Sequence, residues 1–273
     1  MSEATVDVVI VNYLTGDLTR EAVERLAGPN IAIHVVDNSG ELLDDPPSGC
    51  SMYGTGENAF YARASNLAFT GGRAPLVLLH NPDVVIQPAQ LSEMVAAMAD
   101  RSLWAVAPQL IEPEGAKHDY LRRLPTTSAL VADLVPPMRL VFRSAYRRYH
   151  CRDVSHDAPA EVEQPAAACL LVRRDYVGTQ LFDERYRLFF NDTDLSRRMH
   201  DAGYRCRYLP HIRVPHVGGV SIERERSRGR DWISDEYDSA ALTYAMSELP
   251  GGACLKPVVV VRRYVRDVVR AVT

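Results

Sequence analysis

Of three apolar runs early in the chain, two stop on a polar cluster. Residues 6–11 (VDVVIV) end on Asn12, residues 31–36 (IAIHVV) on Asp37-Asn38-Ser39, and residues 76–79 (LVLL) on His80-Asn81-Pro82-Asp83. Short apolar runs of this kind mark strands buried on both faces. Between the first two, residues 19–26 set Val23 and Leu26 on one face of a helix, so the order is βαβ. That order implies a parallel pair joined by a right-handed crossover. Open α/β sheets place their ligands at the carboxyl ends of the strands, which is where these polar clusters fall.

The alternation continues. Residues 59–69 and 90–99 read as helices and 104–108 as a short strand, completing a first half that looks like a nucleotide-binding sheet. Residues 112–163 are less regular, with prolines, the arginine-rich piece RLVFRSAYRRYHCR and an acidic loop, and read as an insertion or flap on one domain. A strand is expected over 166–172. A helix follows, with Leu195, Met199 and Ala202 at i, i+4, i+7, and it stops at Gly203. Residues 207–209 and 211–214 follow as short strand material, and the end of the chain reads as mostly helical.

Composition removes several classes. At 273 residues, 47% hydrophobic and 24% charged, the chain suits one large α/β domain or two small ones. A formal net charge of −4 argues against a protein that coats nucleic acid. Five cysteines, an odd number without a CxxC pair, suggest neither a disulfide framework nor a zinc ribbon and fit a reduced cytoplasm. The N-terminus lacks the basic region of a signal peptide, and no apolar run reaches bilayer length, so any membrane contact is expected from the surface.

Three constellations could carry chemistry. A carboxylate at the strand ends, Asp37 or Asp83, can bind a ribose, a base or a divalent ion bridging a pyrophosphate, although Asp, Asn and Pro are also good turn formers. GTGENA (residues 54–59) matches the dinucleotide fingerprint, but that motif belongs to the first strand-to-helix turn, so a flexible turn with Asn58 capping the next helix is preferred. In NDTDL (residues 191–195), Asn191 or Asp192 could cap a helix, with Asp194 paired to Arg198 at i, i+4. His216, in PHVGGVS, is by itself an ordinary loop histidine.

In their order, VVIVNY, VVDNSG, ENAFYARASN, LLHNPDV, ACLLVRRD, FDERYRLFFNDTDLSRRMHDAGYR and HVGGVS give a chain that resembles the family 2 glycosyltransferases, in particular their rhamnosyltransferase-like branch, over roughly residues 6–221. The resemblance implies a GT-A fold: a Rossmann-like, mostly parallel sheet flanked by helices, in a single domain with a C-terminal helical extension. It divides the chain into a domain over 1–220 (1–110 binding the nucleotide sugar, 111–165 the insertion, 166–220 the acceptor and catalytic half) and an extension over 221–273. It also implies inverting transfer of a sugar from a nucleotide diphosphate to an acceptor hydroxyl.

Residue by residue, the resemblance makes Asp83 the carboxylate that faces the donor pyrophosphate through Mg²⁺ or Mn²⁺, with Asn81 beside it and His216 completing the metal site. Asp37 stands where the family grips the donor base or ribose, with Asn38 next to it and Asn12 and Asn66 nearby. Asp192 matches the catalytic base. Asn191, where the family usually has Glu, and Arg122 and Arg123 are placed on the acceptor side. Ala59 and Arg63 replace glycines common in the family.

The implied donor is dTDP-rhamnose or a related dTDP-6-deoxysugar ahead of a UDP-hexose, and the implied acceptor a glycan, a lipid-linked saccharide or a small molecule. The expected location is cytoplasmic, with peripheral contact at the inner face of the membrane; the oligomeric state, monomer or homodimer, stays open. Two other classes compete: a dinucleotide-dependent oxidoreductase built on GTGENA, and a noncatalytic nucleotide-sugar-binding protein that keeps Asp37 and Asp83 without needing Asp192. The valine- and arginine-rich tail from Pro257 reads either as a docked helix or as a basic amphipathic anchor, with docking the commoner fate.

Overall fold

The computed structural model describes residues 4–54, 56–117, 119–153, 155–228 and 232–272, the last four in backbone only. The first half comprises β1 (Val6–Asn12), α1 (Gly16–Leu26), β2 (Ile31–Asp37), β3 (Ser51–Tyr53), α2 (Phe60–Gly71) and β4 (Leu76–His80). β1 lies between β2 and β4, parallel to both, and β3 adds in parallel outside β2. The chain therefore moves outward from β1 and returns across it to β4. Right-handed crossovers in opposite directions set α1 and α2 on opposite faces of the sheet. Every residue of β1 and β4 is buried, which is why both read as nearly unbroken apolar runs.

Asp7 interrupts the apolar run of β1. Its carboxylate meets His34 Nε2 of β2 at 3.2 Å, accepts from the Ala74 N–H at 2.9 Å, and takes Arg174 Nη2 at 2.5 Å. One buried carboxylate thus fastens the amino edge of the first half to the second.

The second half adds α3 (Pro88–Ala97), β5 (Leu103–Ile111), α4 (Thr127–Leu134), α5 (Met138–Val141), α6 (Arg143–Tyr149), β6 (Ala160–Val162), β7 (Cys169–Arg173), α7 (Arg174–Val177), α8 (Asn191–Asp201), β8 (Arg205–Pro215), α9 (Val220–Ser227), α10 (Ile233–Glu248) and α11 (Leu255–Val272). One eight-stranded sheet runs β3-β2-β1-β4-β7-β5-β8-β6. The expected α/β architecture holds, but the sheet is mixed: β7 is antiparallel to both β4 and β5, and β6 is antiparallel to β8. The two pieces expected over 207–214 are one strand, β8. Its register against β5 jumps between the pairs Pro108–Leu209 and Gln109–Arg213, so residues 210–212 bulge where Pro210 has no N–H to give.

The middle segment is more regular than its sequence suggests. Thr126 caps α4 by accepting from the Ala129 N–H, Pro136-Pro137 break the chain, and α5 and α6 follow. Leu130 and Leu134 of α4 join Tyr186, Phe190, Tyr244 and Leu255 in a second apolar core, so the segment packs against the C-terminal helices. The tail is docked: Leu255 and Val259 are buried, and Arg262 and Arg266 each reach the wholly buried Asp238 of α10 at 3.0 Å. Arg262, Arg263 and Arg266 face α10, while Val260, Val261, Tyr264, Val265 and Val268 are exposed. Among the described residues no helix is long and apolar enough to cross a membrane.

Candidate active site

The carboxyl edge of the sheet collects the polar strand ends. Because β7 is antiparallel to β4, its first residue, Cys169, lies opposite His80, and the Asn81 N–H donates to the Ala168 carbonyl at 2.9 Å. The far end of β8 arrives at the same place. Val84 pairs with His216, the Val217 N–H donates to the Asp83 carbonyl at 3.2 Å, and the Gly218 N–H to Asp83 Oδ2 at 3.1 Å. His216 Nε2 stands 3.5 Å from Asp83 Oδ1. Burial alone would raise the Asp83 carboxyl, but the imidazole and the Gly218 N–H outweigh it and hold the group below its ordinary value.

A cleft of about 170 Å³ opens here, with Asn38, Asn81 and Asp83 in its lining. Its roof is α9 with Trp232 and Ile233, and its inner wall carries Tyr13, Phe60 and Tyr61. α9 is held down by Arg224, which grips both oxygens of Asp17 at 2.8 and 2.9 Å. Glu225, buried, accepts from the Tyr13 hydroxyl and from Trp232 Nε1, each at 2.9 Å.

Asp192 sits in the first turn of α8. That helix begins directly after Phe190, whose left-handed φ of 65° turns the chain inward. The Asp192 carboxylate accepts from the Thr193 N–H at 2.8 Å and, across the sheet edge, from the Ala167 N–H at 3.4 Å. Burial is the largest influence on it and lifts it above the ordinary carboxyl value, against these hydrogen bonds. On the other side of the Ala167 peptide, its carbonyl accepts from the Tyr61 hydroxyl at 3.3 Å. The Tyr61 phenol lies in the field of both Asp192 and Asp83; burial first, and then these carboxylates, push it above its usual range. Tyr61, which the sequence did not single out, thus stands between the cleft that Asp83 lines and the Ala167 residue that meets Asp192.

Other expected site residues are placed differently. Asp37 is fully buried under the cleft. Its Oδ1 accepts from Asn12 Nδ2 at 2.9 Å and the N–H groups of Ser39 and Gly40 at 3.1 and 3.0 Å, and its Oδ2 from the Leu42 N–H at 2.8 Å. Asn12 Oδ1 in turn accepts from Thr15 and Thr19. Together they knit the ends of β1 and β2 into a rigid floor, and of this group Asn38 lines the cleft. Asn66 is bonded to the backbone of Phe182 through both its carbonyl and its amide, at 2.8 and 2.9 Å, away from the cleft. Asn191 bridges the Leu188 carbonyl and the Asp192 N–H and so holds the Phe190 turn.

Arg123 is paired with Asp153 at 2.7 Å, and Arg122 with the carbonyls of Asp119 and Leu121 at 3.1 and 2.8 Å. Neither arginine is brought to the cleft. Asp194 makes the expected i, i+4 pair with Arg198 at 2.9 Å.

GTGENA has a backbone explanation. Gly54 has φ +95°, and a Cβ there would stand 2.7 Å from the Asp37 carbonyl oxygen; at Gly56 one would stand 3.1 Å from Gly40. The glycines let this loop, whose Thr55 lies outside the described residues, pack against the 37–40 turn. Asn58 accepts from the Phe60 N–H at 2.9 Å, two residues on, in a turn that leads into α2. His80, the first of the polar residues that follow the apolar run of β4, is set apart from the others. It is buried, both ring nitrogens lack a partner among the described residues, and burial brings it down to about 4, so it stays neutral.

Among the described residues no group of three His, Cys, Asp or Glu forms a metal cage. Asp83 and His216 supply one oxygen and one nitrogen side by side, a pair that fits an ion completing its shell from a bound ligand and water. The imidazole suits Mn²⁺ better than Mg²⁺.

No protein-family model matches the chain. An N-acetylglucosaminyl-diphospho-decaprenol L-rhamnosyltransferase of Mycobacterium tuberculosis is 29% identical over 201 residues, which are 68% of this chain and 60% of that protein. The chain therefore matches well under two thirds of its relative's length. Among solved structures, a mannosyltransferase from Pyrobaculum calidifontis in complex with GDP-Man and Mn²⁺ superposes with a TM-score of 0.51 at 13% identity, covering 95% of this chain and 69% of that one. GalNAc-T7 with UDP, GalNAc and Mn²⁺ superposes with a TM-score of 0.53 at 16% identity, covering 95% of this chain and 54% of that one.

Proposed function

We propose, for a chain that is rhamnosyltransferase-like in sequence and GT-A in fold, that it transfers a sugar with inversion from a nucleoside diphosphate to an acceptor hydroxyl. The observation that carries this reading is geometric: Tyr61 lines the cleft together with Asp83, and its hydroxyl donates to Ala167, the residue whose N–H is held by Asp192. Asp83, low and charged, suits the diphosphate side; Asp192, lifted by burial, suits a base that must give its proton up again.

In the step, the acceptor oxygen attacks the anomeric carbon from the face opposite the diphosphate. The carbon–oxygen bond to the diphosphate breaks with its electron pair, and Asp192 takes the acceptor's proton. The Thr193 and Ala167 N–H groups keep the Asp192 carboxylate aimed. Asp83 and His216 would hold a divalent ion, whose contribution is to neutralise charge on the departing diphosphate.

The nucleoside is assigned to the cleft between Asn38 and the α9 roof, with the buried Asp37–Asn12 knot fixing its floor. The donor is assigned as dTDP-rhamnose or a related dTDP-6-deoxysugar, which the similarity to a rhamnosyltransferase supports. The acceptor is assigned as a lipid-linked saccharide, and the protein as a cytoplasmic one in peripheral contact with the membrane. Its five free cysteines agree with a reducing compartment.

A thermal-shift screen of nucleoside diphosphates with and without Mn²⁺ tests the reading, since selective stabilisation follows from binding the native state. Competition of dTDP with UDP in a donor-hydrolysis assay then tests the base. A clear preference for UDP overturns the donor and leaves the mechanism standing, whereas no stabilisation by any nucleoside diphosphate removes both.

A further inference from the structure

The most exposed large apolar side chain among the described residues is not on the C-terminal helix but on α5: Leu140 is 85% exposed, and its neighbour Val141 67%. They stand on a projection that Pro136 and Pro137 break away from α4. From residue 135 to 152 the sequence holds five arginines and no acidic residue, in a chain whose net charge is −4. Arg139, Arg143 and Arg147 are exposed on this projection, and Arg143 and Arg147 enter no ion pair among the described residues. α11 reaches the same corner, where Arg262 Nη1 donates to the Leu134 carbonyl at 2.6 Å and the neighbouring Val261 and Val265 are exposed.

We infer that the α5–α6 projection docks the protein on an anionic lipid surface, with Leu140 and Val141 entering the headgroup boundary and the arginines resting on lipid phosphates. Charge selects this occupant. In a symmetric dimer a patch lies against its own copy, so arginine would face arginine, whereas an anionic bilayer complements both the charge and the apolar tip. Position gives the contact a use. α6 runs inward from Arg143 for about 10 Å at 1.5 Å per residue; just past its inner end His150 meets Asp133 of α4 at 3.0 Å, and α4 shares an apolar core with Phe190, which leads directly into the turn that holds Asp192. A hydroxyl on a lipid-linked saccharide would then be presented to Asp192 from the side on which its lipid is anchored. This use rests on the transfer reading above; the docking itself does not.

Sedimentation of the full chain with phosphatidylcholine vesicles, with and without phosphatidylglycerol, tests it. The protein should pellet with the anionic vesicles and much less with the neutral ones. The double variant Leu140→Asp/Val141→Asp should lower partitioning by at least ~10-fold, and Arg143→Gln/Arg147→Gln by about fivefold per arginine. All four side chains are exposed, so an unchanged thermal midpoint is expected and certifies the fold. No binding of the wild type to anionic vesicles overturns the proposal. So does binding that both double variants retain in full, or a dimer in light scattering that Leu140→Asp/Val141→Asp dissolves without any vesicle binding. Vesicle binding in a protein that no nucleoside diphosphate stabilises would leave the docking surface standing and remove the transfer reading.

Discussion

His216 Nε2 stands 3.5 Å from Asp83 Oδ1, although the two residues come from opposite halves of the chain. The contact exists because the end of β8 pairs with the loop that follows β4, so the imidazole reaches the carboxylate by way of backbone hydrogen bonds on both sides of it.

If these two groups hold an ion on the diphosphate, Asp83→Ala weakens Mn²⁺-dependent binding of the nucleoside diphosphate more than binding of the bare nucleoside. His216→Ala acts in the same direction and more weakly. Calorimetric titration with each ligand, with and without Mn²⁺, separates the terms, and equal losses for both ligands would identify Asp83 as a turn residue.

Asp192→Asn should lower turnover by at least ~100-fold while leaving donor binding intact. Its effect on stability has the opposite sign. A carboxyl whose folded value is raised above 3.8 binds more protons in the native state than in the unfolded one, so it costs stability as pH rises from the unfolded value through the folded one. At neutral pH the Asn variant should therefore unfold at the same urea concentration as the wild type or a higher one, and any advantage should vanish in acid. A variant that keeps full turnover would remove Asp192 from the mechanism.

For Asp37 the structure separates gripping a ligand from building a floor. Asp37→Ala strands the buried Leu42 N–H and Asn12 amide and the half-buried N–H groups of Ser39 and Gly40, and should cost about 3 kcal/mol in urea unfolding. A stability within ~0.5 kcal/mol of wild type, with donor binding lost, would instead make it a direct ligand contact.

Asp238 anchors the C-terminal helix. Asp238→Ala takes the buried carboxylate away from Arg262 and Arg266; Arg262 keeps the Leu134 carbonyl and Arg266 keeps Asp235, and because both arginines are partly exposed the cost should be about 2 kcal/mol rather than the full penalty of a buried pair. Limited proteolysis should then release the tail before the rest of the chain. Unchanged cleavage would show that Leu255 and Val259 hold α11 by themselves.

Some of this was legible in the sequence. The buried strands betray themselves as apolar runs, and Asp83, Asp192 and His216 stand in ordered motifs. Other parts leave no such mark. An apolar strand buried on both faces carries no sign of its direction, so nothing in ACLLVRRD announces that β7 runs antiparallel. α4 to α6 are short, broken by prolines and rich in arginine, which hides their apolar face. Tyr61 reads as a core aromatic on a helix, and only the arrival of Ala167 and Asp192 from the other half gives its hydroxyl a setting. Asp37 shows the reverse case: its residue type and place suggest a ligand, while its carboxylate is taken up by its own loop.

The position of β7 has a consequence for how the chain comes into being. β4 and β5 are not neighbours; they are joined into one sheet only when residues 169–173 are laid between them. During synthesis the amino-terminal strands can pair among themselves, but β4 presents an open row of N–H and carbonyl groups along an apolar edge until β7 has been made. Such an edge is where nascent chains associate wrongly. A fragment ending at residue 165 should aggregate rather than fold, and the half that carries Asp83 and the half that carries Asp192 should reach their native state together.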